Sequence, residues 1–154
     1  MIEEKRFNIR VYGVLINDQN QLLVSDEIIK GIQFTKFPGG GLEWGEGTRE
    51  CLEREFMEEL SQPINVVDHY YTTDYFQQSA FRKEDQLMSI YYRVNLNGHQ
   101  LFTTKTKPFD FPDQSLVQDE VHRWVNLHEL YEADFKWPVD KLVVSRIRSD
   151  FSKL

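Results

Sequence analysis

The residues best suited to chemistry lie in one segment, 38–60, which reads PGGGLEWGEGTRECLEREFMEEL. Its second half, 48–60, contains neither glycine nor proline, which predicts a helix. On a helical wheel of about 100° per residue, Glu55, Glu58 and Glu59 fill one continuous arc of about 100°. That arc begins at the edge of the apolar stripe that the helix would bury. The sequence therefore predicts three carboxylates crowded together beside the core.

Carboxylates in such a position repel one another, and desolvation disfavours each anion further. A hard divalent cation removes both penalties, and Mg²⁺ or Mn²⁺ prefers oxygen ligands. The glycine run 39–41 adds a complementary feature, because glycine permits close approach of the backbone to a ligand. A phosphate bridged to the helix by a metal ion is the simplest ligand that would use both features. The alternative at this point is a solvated acidic helix face that follows a turn.

The same segment resembles the Nudix box, Gly-x5-Glu-x7-Arg-Glu-U-x-Glu-Glu-x-Gly-U, in which U is a bulky apolar residue. The matching residues are Gly40, Glu46, Arg54, Glu55, Phe56, Glu58 and Glu59. A chance match of this quality is expected on the order of once in 10⁵ chains of this composition. The last two positions of the box depart from the pattern, since they are Ser61 and Gln62. They fall at the end of the helix, where glycine relieves left-handed strain.

This resemblance implies a fold, an activity and a cofactor. The implied fold class is α+β, a Nudix-type α/β/α sandwich with a mixed β-sheet between helices, formed by a single Nudix hydrolase domain over residues 1–154. The implied activity is hydrolysis of the diphosphate linkage in a nucleoside diphosphate joined to another group. Mg²⁺ or Mn²⁺ would be the cofactor, and a small nucleotide-type molecule would be the substrate.

The resemblance also implies roles for individual residues. Glu55, Glu58 and Glu59 would hold the metal, together with the backbone carbonyl of Gly39. Arg54 would orient these glutamates rather than touch the substrate.

A general base is the remaining catalytic role, and its identity stays open. Glu55 is the first choice, and Glu120 is the second because it follows a long irregular segment directly. Asp119, Glu84 and Asp85 are weaker candidates, which we expect to be solvated surface charges.

The substrate also stays open, because the additional motifs of three Nudix subfamilies are absent. They are those of the NADH pyrophosphatases, the coenzyme A hydrolases and the ADP-ribose hydrolases. Two alternatives remain beside the hydrolase of nucleoside diphosphate derivatives. One is a non-catalytic nucleotide-sensing module, and the other is a house-cleaning hydrolase of modified nucleoside triphosphates. The aromatic segment 70–76 could supply a ring that stacks on a base, or it could belong to the core.

The elements that must position these residues follow from periodicity and turn signals. The predicted strands are 7–16, 21–25, 32–37, 64–72, 86–96 and 121–127. The predicted helices are 48–60 and 139–151, and Thr48 is the predicted N-cap of the first helix. This order of strands, helix, strands and helix is typical of an α+β fold. The segment 101–119 has two prolines, three phenylalanines and no period, which favours a lid or a docking element over a loop packed on the core.

Composition excludes several classes of protein. The chain has 154 residues, a net charge of −7, 40% hydrophobic residues and 14% aromatic residues, too apolar for a disordered chain. The acidic balance argues against general binding to nucleic acid, which needs a basic surface. The sequence has no long apolar run, so we expect neither a signal peptide nor a membrane span. We expect a cytoplasmic location. The one cysteine, Cys51, reads as a packing residue, and homodimerisation is left open.

Overall fold

A computed structural model describes residues 4–112 and 118–151 of the chain. It contains seven strands, two α-helices and two short 3₁₀-helices. The strands are β1 (Arg6–Leu15), β2 (Gln21–Ile29), β3 (Ile32–Lys36), β4 (Gly39–Gly41), β5 (Ile64–Thr72), β6 (Asp85–Leu96) and β7 (Gln118–Asn126). The helices are α1 (Thr48–Leu60) and α2 (Pro138–Asp150), and the 3₁₀-helices are Leu127–Glu129 and Glu132–Asp134. The α+β fold class is therefore confirmed, with two sheets and two helices.

The strands form a four-stranded sheet in the order β4-β1-β6-β5 and a three-stranded sheet in the order β3-β2-β7. The chain divides into two compact units that interleave along the sequence. The first unit is built from the chain up to Gly13 and from 39–99, and it holds α1. The second is built from 14–38 and from Gln100 onward, and it holds α2.

In the first unit, α1 packs on the four-stranded sheet through the apolar stripe that the sequence predicts. Leu52, Phe56 and Leu60 are all buried on this face. The contact is close at Gly13, where a β-carbon would lie 3.0 Å from the ring of Phe56. This packing fixes the rotation of α1 about its own axis, and it thereby determines where the glutamates of the helix point.

The bounds of α1 agree with the prediction, but its N-cap does not. The cap is Gly47, and the predicted cap residue, Thr48, instead forms a hydrogen bond of 2.7 Å between its Oγ1 and the hydroxyl of Tyr92. Glu50 accepts the backbone N–H of Gly47 at 3.2 Å, which anchors the first turn without a capping side chain. At the other end, Ser61 adopts the left-handed conformation, with φ +51.

The second unit contains a longer β2 than the sequence predicts, because polar residues continue the strand to Ile29. Asp26 and Glu27 are the first two residues of this extension, and they pair with both β3 and β7. The predicted C-terminal helix is present as α2, which begins at Pro138, where the fixed φ of proline suits the first turn. Its buried face includes Val144, whereas Leu142, which the period had placed in the stripe, is 36% exposed.

The segment 101–112 has no helix or named strand, in agreement with its lack of period, although the strand that follows starts earlier than predicted. Phe102 is buried, and its ring centroid lies 6.2 Å from that of Trp124. Phe109 donates its backbone N–H to Asp26 at 3.2 Å. Residues 113–117 of the predicted lid or docking element lie outside the described residues, and Asp119 belongs to β7.

Candidate functional site

The glycine run forms a short strand, β4, which the sequence did not predict and which lies against α1. Its residues pair with β1 in the register Arg10↔Gly41, Val11↔Gly40 and Tyr12↔Gly39. The carboxylate of Glu55 lies directly beside Gly40, because a β-carbon there would be 2.5 Å from Oε1 and 2.7 Å from Oε2. The strand therefore offers a side-chain-free surface on which the Glu55 carboxylate rests.

Arg54 joins the glutamates of the box into one network. Its Nε and Nη2 donate to the two carboxylate oxygens of Glu46 at 2.9 and 2.7 Å. Its Nη1 donates to Glu55 Oε1 and to Glu58 Oε2, both at 3.1 Å, and its Nη2 also donates to the carbonyl of Gly41 at 3.0 Å. The guanidinium is thus fully engaged with protein groups, and it holds the helix, the loop and β4 together.

The charges in this network shift the pKa values of its members. Hydrogen bonds from Arg54 and from the backbone of Glu43 lower the pKa of Glu46 to about 2. The pKa of Arg54 is raised, first by its hydrogen bonds to Glu46 and then by the charge of Glu55, against the effect of desolvation. Glu46 and Arg54 are therefore both ionised at neutral pH.

The predicted metal-binding glutamates differ in their exposure to solvent. The side chain of Glu55 is 13% exposed and that of Glu58 is 58% exposed, although both accept a hydrogen bond from the same nitrogen of Arg54. One carboxylate of the cluster is thus held inside the site, and another faces solvent.

The donor set of this cluster fits a hard divalent cation. It consists of carboxylate oxygens on one helix face beside the backbone of a glycine strand, with no thiol or imidazole among the predicted ligands. The carboxylate of Glu55 occupies a space that any β-carbon at position 40 would fill. The chemistry of the donors and this cradle are consistent with Mg²⁺ or Mn²⁺.

Cys51 lies beside the cluster but has the properties of a packing residue. It is fully buried, and its Sγ lies 3.5 Å from the carbonyl oxygen of Gly41. Burial, and then its hydrogen bond to Glu46, raises the pKa of the thiol to about 12. The thiolate is the nucleophilic form, so a thiol with this pKa is unreactive at neutral pH.

Glu120, the second candidate for the general base, lies on β7 in the second unit. Its Oε1 is 3.1 Å from Nε2 of His122, the next residue on the same face of the strand. Asp119 accepts the backbone N–H of Glu120 at 2.7 Å.

The expectation of a solvated surface charge was wrong for Asp85, which is 3% exposed and accepts a hydrogen bond from Arg6 Nε at 2.7 Å. This ion pair lowers the pKa of Asp85.

Sequence reasoning missed the buried charges of the three-stranded sheet. Lys36 Nζ and Glu27 Oε2 form an ion pair of 2.7 Å with both side chains about one-tenth exposed. Glu27 is also in register with Glu120 across the strands, and Ser25 is in register with His122. The period-2 alternation of Glu120 with His122 and of Ser25 with Glu27 could have revealed that these residues share faces. Arg10 of β1 was missed as well.

The aromatic segment 70–76 is divided between core and surface. Tyr70 is buried, whereas Phe76 is 70% exposed and borders a cavity of about 340 Å³ together with Phe7 and Lys83. Stacking of a ring from this segment on a base therefore stays a prediction.

Comparison with known proteins gives one matching family model and many similar structures. The model described as the NUDIX domain matches residues 6–146. No curated protein matches the sequence.

Among solved structures, a NUDIX hydrolase from Nitrosomonas europaea is 18% identical, with a TM-score of 0.66 over 97% of this chain and 96% of that one. The MutT protein of methicillin-resistant Staphylococcus aureus 252, described as a Nudix hydrolase, is 23% identical, with a TM-score of 0.58 over 95% and 98%. A UDP-X diphosphatase is 15% identical, with a TM-score of 0.60 over 96% of this chain and 62% of that one. These TM-scores show a shared fold, and at identities this low the similarity shows the fold alone. Among the described residues, no helix combines the length and apolar character needed to cross a membrane.

Proposed function

The chain belongs to the Nudix hydrolase family, and we propose that it hydrolyses a diphosphate linkage in a nucleoside diphosphate joined to another group. Members of this family act on small nucleotide-type substrates and generally use divalent metals. The observation that carries the proposal is the network in which Arg54 holds Glu46, Glu55 and Glu58 together beside the glycine strand. We propose that residues 1–154 act as a single Nudix domain.

In this proposal Glu55, Glu58 and Glu59 bind Mg²⁺ or Mn²⁺ with the carbonyl of Gly39. When bound, the metal neutralises charge on the diphosphate and lowers the pKa of a water molecule. Arg54 positions the glutamates through its hydrogen bonds and does not touch the substrate. Because Arg54 Nη1 donates to Glu55 and to Glu58, it holds both carboxylates in a fixed orientation before the substrate arrives.

The general base in the proposal is Glu55, which accepts a proton from the attacking water at a carboxylate oxygen. Its low exposure and its fixed position beside Gly40 favour it over the more exposed Glu58. Glu120 is the alternative base, and its pairing with His122 would orient its carboxylate. Replacing Glu120 with glutamine separates the two assignments, because the true base contributes about 10²–10⁴ to the rate and Glu120 is not among the proposed metal ligands.

The proposal is tested by assaying the purified protein against ADP-ribose, dinucleoside polyphosphates, nucleotide sugars and deoxynucleoside triphosphates. UDP-sugars are included because one structural relative is a UDP-X diphosphatase. We expect turnover of at least one member with Mg²⁺ or Mn²⁺ and none with EDTA. The double variant Glu58→Gln/Glu59→Gln should lose on the order of 100-fold or more of this activity and should bind Mn²⁺ more weakly.

Glu53→Gln is the matched control, because Glu53 lies on the same helix and is exposed to solvent. It should leave both activity and metal binding unchanged. Unchanged turnover in the double variant would contradict the proposal. Metal-independent binding of a nucleotide without any turnover would favour a sensing module, whereas turnover of deoxynucleoside triphosphates alone would favour a house-cleaning hydrolase.

The proposed substrate partner is a small nucleotide-type molecule. Homodimerisation, the absence of binding to nucleic acid and a cytoplasmic location stay predictions.

A further inference from the structure

Arg10 is a half-buried cation at the carboxylate site, and it takes no part in the hydrogen-bond network of Arg54. It lies on β1 opposite Gly41 of β4, and its Nη1 is 3.4 Å from the position that a β-carbon of Gly41 would occupy. The absence of a side chain at Gly41 therefore gives the guanidinium room to lie over the glycine strand. The carboxylates of Glu55 and Glu59 are close enough to contribute to the raised pKa of Arg10, after the larger effect of Tyr12.

The guanidinium of Arg10 is oriented by one hydrogen bond. Its Nε donates to the hydroxyl of Tyr12 at 2.9 Å, and its Cζ lies 5.8 Å from the centroid of the Tyr12 ring. Tyr12 is itself fixed, because it is 9% exposed and its ring centroid lies 5.3 Å from that of Tyr91. A rigid aromatic residue thus determines the direction in which the two Nη groups point.

Those two Nη groups have no hydrogen-bond or ion-pair partner among residues 4–112 and 118–151. An arginine has five N–H donors in a planar fork, so four of them stay unused by protein. Glu55 and Glu59 influence Arg10 electrostatically, yet no ion pair within 4 Å forms between them among these residues. A half-buried fork of unused donors is a binding element for an anion with several oxygen atoms.

Arg10 and Arg54 approach Gly41 in different ways. Arg54 donates to the carbonyl of Gly41, and its remaining N–H groups donate to Glu46, Glu55 and Glu58. Arg10 lies on the side where a side chain of residue 41 would be, and its Nε donates a hydrogen bond to Tyr12. One arginine is therefore committed to the architecture of the site, and the other has donors left for a ligand.

We propose that Arg10 binds a phosphate oxygen of the substrate diphosphate through its Nη groups and that Tyr12 is the residue that positions it. This inference rests on the proposed function, since it assigns a contact within the same site. The carboxylates of the site repel an anionic substrate, and Arg10 supplies a fixed positive charge beside them. Arg10 thereby favours ligands whose phosphate lies next to the carboxylate helix.

The test measures binding of imidodiphosphate, whose P–N–P bridge resists hydrolysis, by calorimetry in the presence of Mg²⁺. Arg10→Met removes the charge and keeps most of the side-chain stem. We expect it to weaken binding at least about tenfold, because hydrogen bonds to charged groups contribute more than neutral ones. Arg10→Lys should recover part of this loss, and Tyr12→Phe should weaken binding by about threefold to tenfold with its ring retained.

Arg93→Met is the matched control, because it also removes one positive charge and interrupts an exposed ion pair with Asp68. It should bind imidodiphosphate as the wild type does. With a substrate that is turned over, Arg10→Met should raise KM more than it lowers kcat. Thermal melting of each variant and its Mg²⁺ affinity without ligand show whether fold and metal site are intact.

Equal imidodiphosphate binding by Arg10→Met and wild type would overturn this inference and leave the proposed function standing. A change in Mg²⁺ affinity or melting temperature alone in Arg10→Met would overturn it too, since Arg10 would then only balance the charge of the glutamates. Failure of the proposed function has a different signature. In that case no substrate of the panel is turned over, and Glu58→Gln/Glu59→Gln leaves Mn²⁺ binding unchanged.

Discussion

The carboxylate of Glu55 rests against Gly40 so closely that a β-carbon at position 40 would lie 2.5 Å from it. This contact joins the two halves of the Nudix box, the glycine strand and the carboxylate helix. Glycine is required at this position for space, because its φ is not in the left-handed region. The neighbouring Gly39 differs, since it has φ +143 and a β-carbon there would overlap the carbonyl of Val11.

We expect Gly40→Ala to disable the site while the protein stays folded. The added methyl group must displace the Glu55 carboxylate, which also breaks its hydrogen bond to Arg54. Activity should fall about 10- to 100-fold, as it does when groups that orient metal ligands are removed. The measurement is kcat/KM on the substrate that the panel identifies, with circular dichroism as the check on folding.

Gly31→Ala is the matched control for this change. Gly31 has φ +79, so alanine is strained there, but no atom lies within 4 Å of its added methyl group. This control should lower the melting temperature and leave kcat/KM within about twofold, because its only effect is backbone strain. Full activity in Gly40→Ala would show that Glu55 can move without consequence, and it would contradict the role assigned to the contact.

The ion pair of Glu46 with Arg54 should make stability depend on pH in the acidic range. Arg54 lowers the pKa of Glu46 from 4.5 to about 2 in the folded protein. Between these values the unfolded chain binds a proton that the folded protein does not, so this contribution to stability is lost as pH falls from about 4.5 toward 2. Urea unfolding at pH 5 and pH 3 should therefore show a smaller loss of stability for Glu46→Gln than for the wild type.

Glu53→Gln serves as the comparison for the pH experiment, because Glu53 is exposed on the same helix. It should lose as much stability as the wild type between the two pH values. If Glu46→Gln also lost as much, Glu46 would not be held ionised by Arg54 in the folded protein.

Local pattern was sufficient to predict the carboxylate helix and its orientation. The 3.6-residue period of Leu52, Phe56 and Leu60 fixes both the bounds of α1 and its buried face, since these three residues are buried in the structure. The position of the glutamates follows from that face by helical geometry alone. The contacts that fix Arg10 were not predictable in this way, because the strand opposite it consists of three glycines without β propensity. That strand exists because β1 pairs with it.

Buried charges were the second limit on prediction from sequence. A charged residue is exposed by default, which is why Asp85 was expected at the surface and Lys36 and Glu27 were not noticed. Each is buried because a partner of opposite charge lies across or along the sheet. Arg6 and Asp85 are far apart in sequence, so no periodicity reveals that they are partners.

The helix end at Ser61 offers a stabilising substitution. Ser61 has φ +51, a conformation that costs residues with a β-carbon roughly 1–2 kcal/mol, and its backbone N–H still bonds to the carbonyl of Met57 at 3.0 Å. Glycine relieves this strain but loses more entropy on folding, so Ser61→Gly should stabilise the protein by about 0.5–1 kcal/mol. This corresponds to a rise in melting temperature of about 1–4 °C.

Ser145→Gly provides the contrast for that substitution, because Ser145 lies in the interior of α2. There the same chemical change should destabilise the protein by about 0.5 kcal/mol, because glycine has a lower helix propensity than serine. A lower melting temperature in both variants would show that the strain at Ser61 is not relieved by glycine.

The largest loss of stability is expected at Asp26, which holds together the second unit. This carboxylate is fully buried, and it accepts hydrogen bonds from Arg123 Nε at 2.6 Å, from the Thr35 hydroxyl at 2.7 Å and from the backbone N–H of Phe109 at 3.2 Å. Asp26→Asn keeps the shape but leaves the Arg123 guanidinium, itself 12% exposed, without its counter-charge. Breaking a buried ion pair from one side costs about 3–5 kcal/mol.

Asp68→Asn is the matched comparison, because Asp68 pairs with Arg93 through two bonds of 2.6 Å with both side chains about half exposed. An exposed pair contributes at most about 1 kcal/mol, so urea unfolding should separate the two variants by about 2 kcal/mol or more. Equal costs would mean that burial adds nothing to the Asp26 pair, and the segment around Phe109 would then owe its position to packing alone.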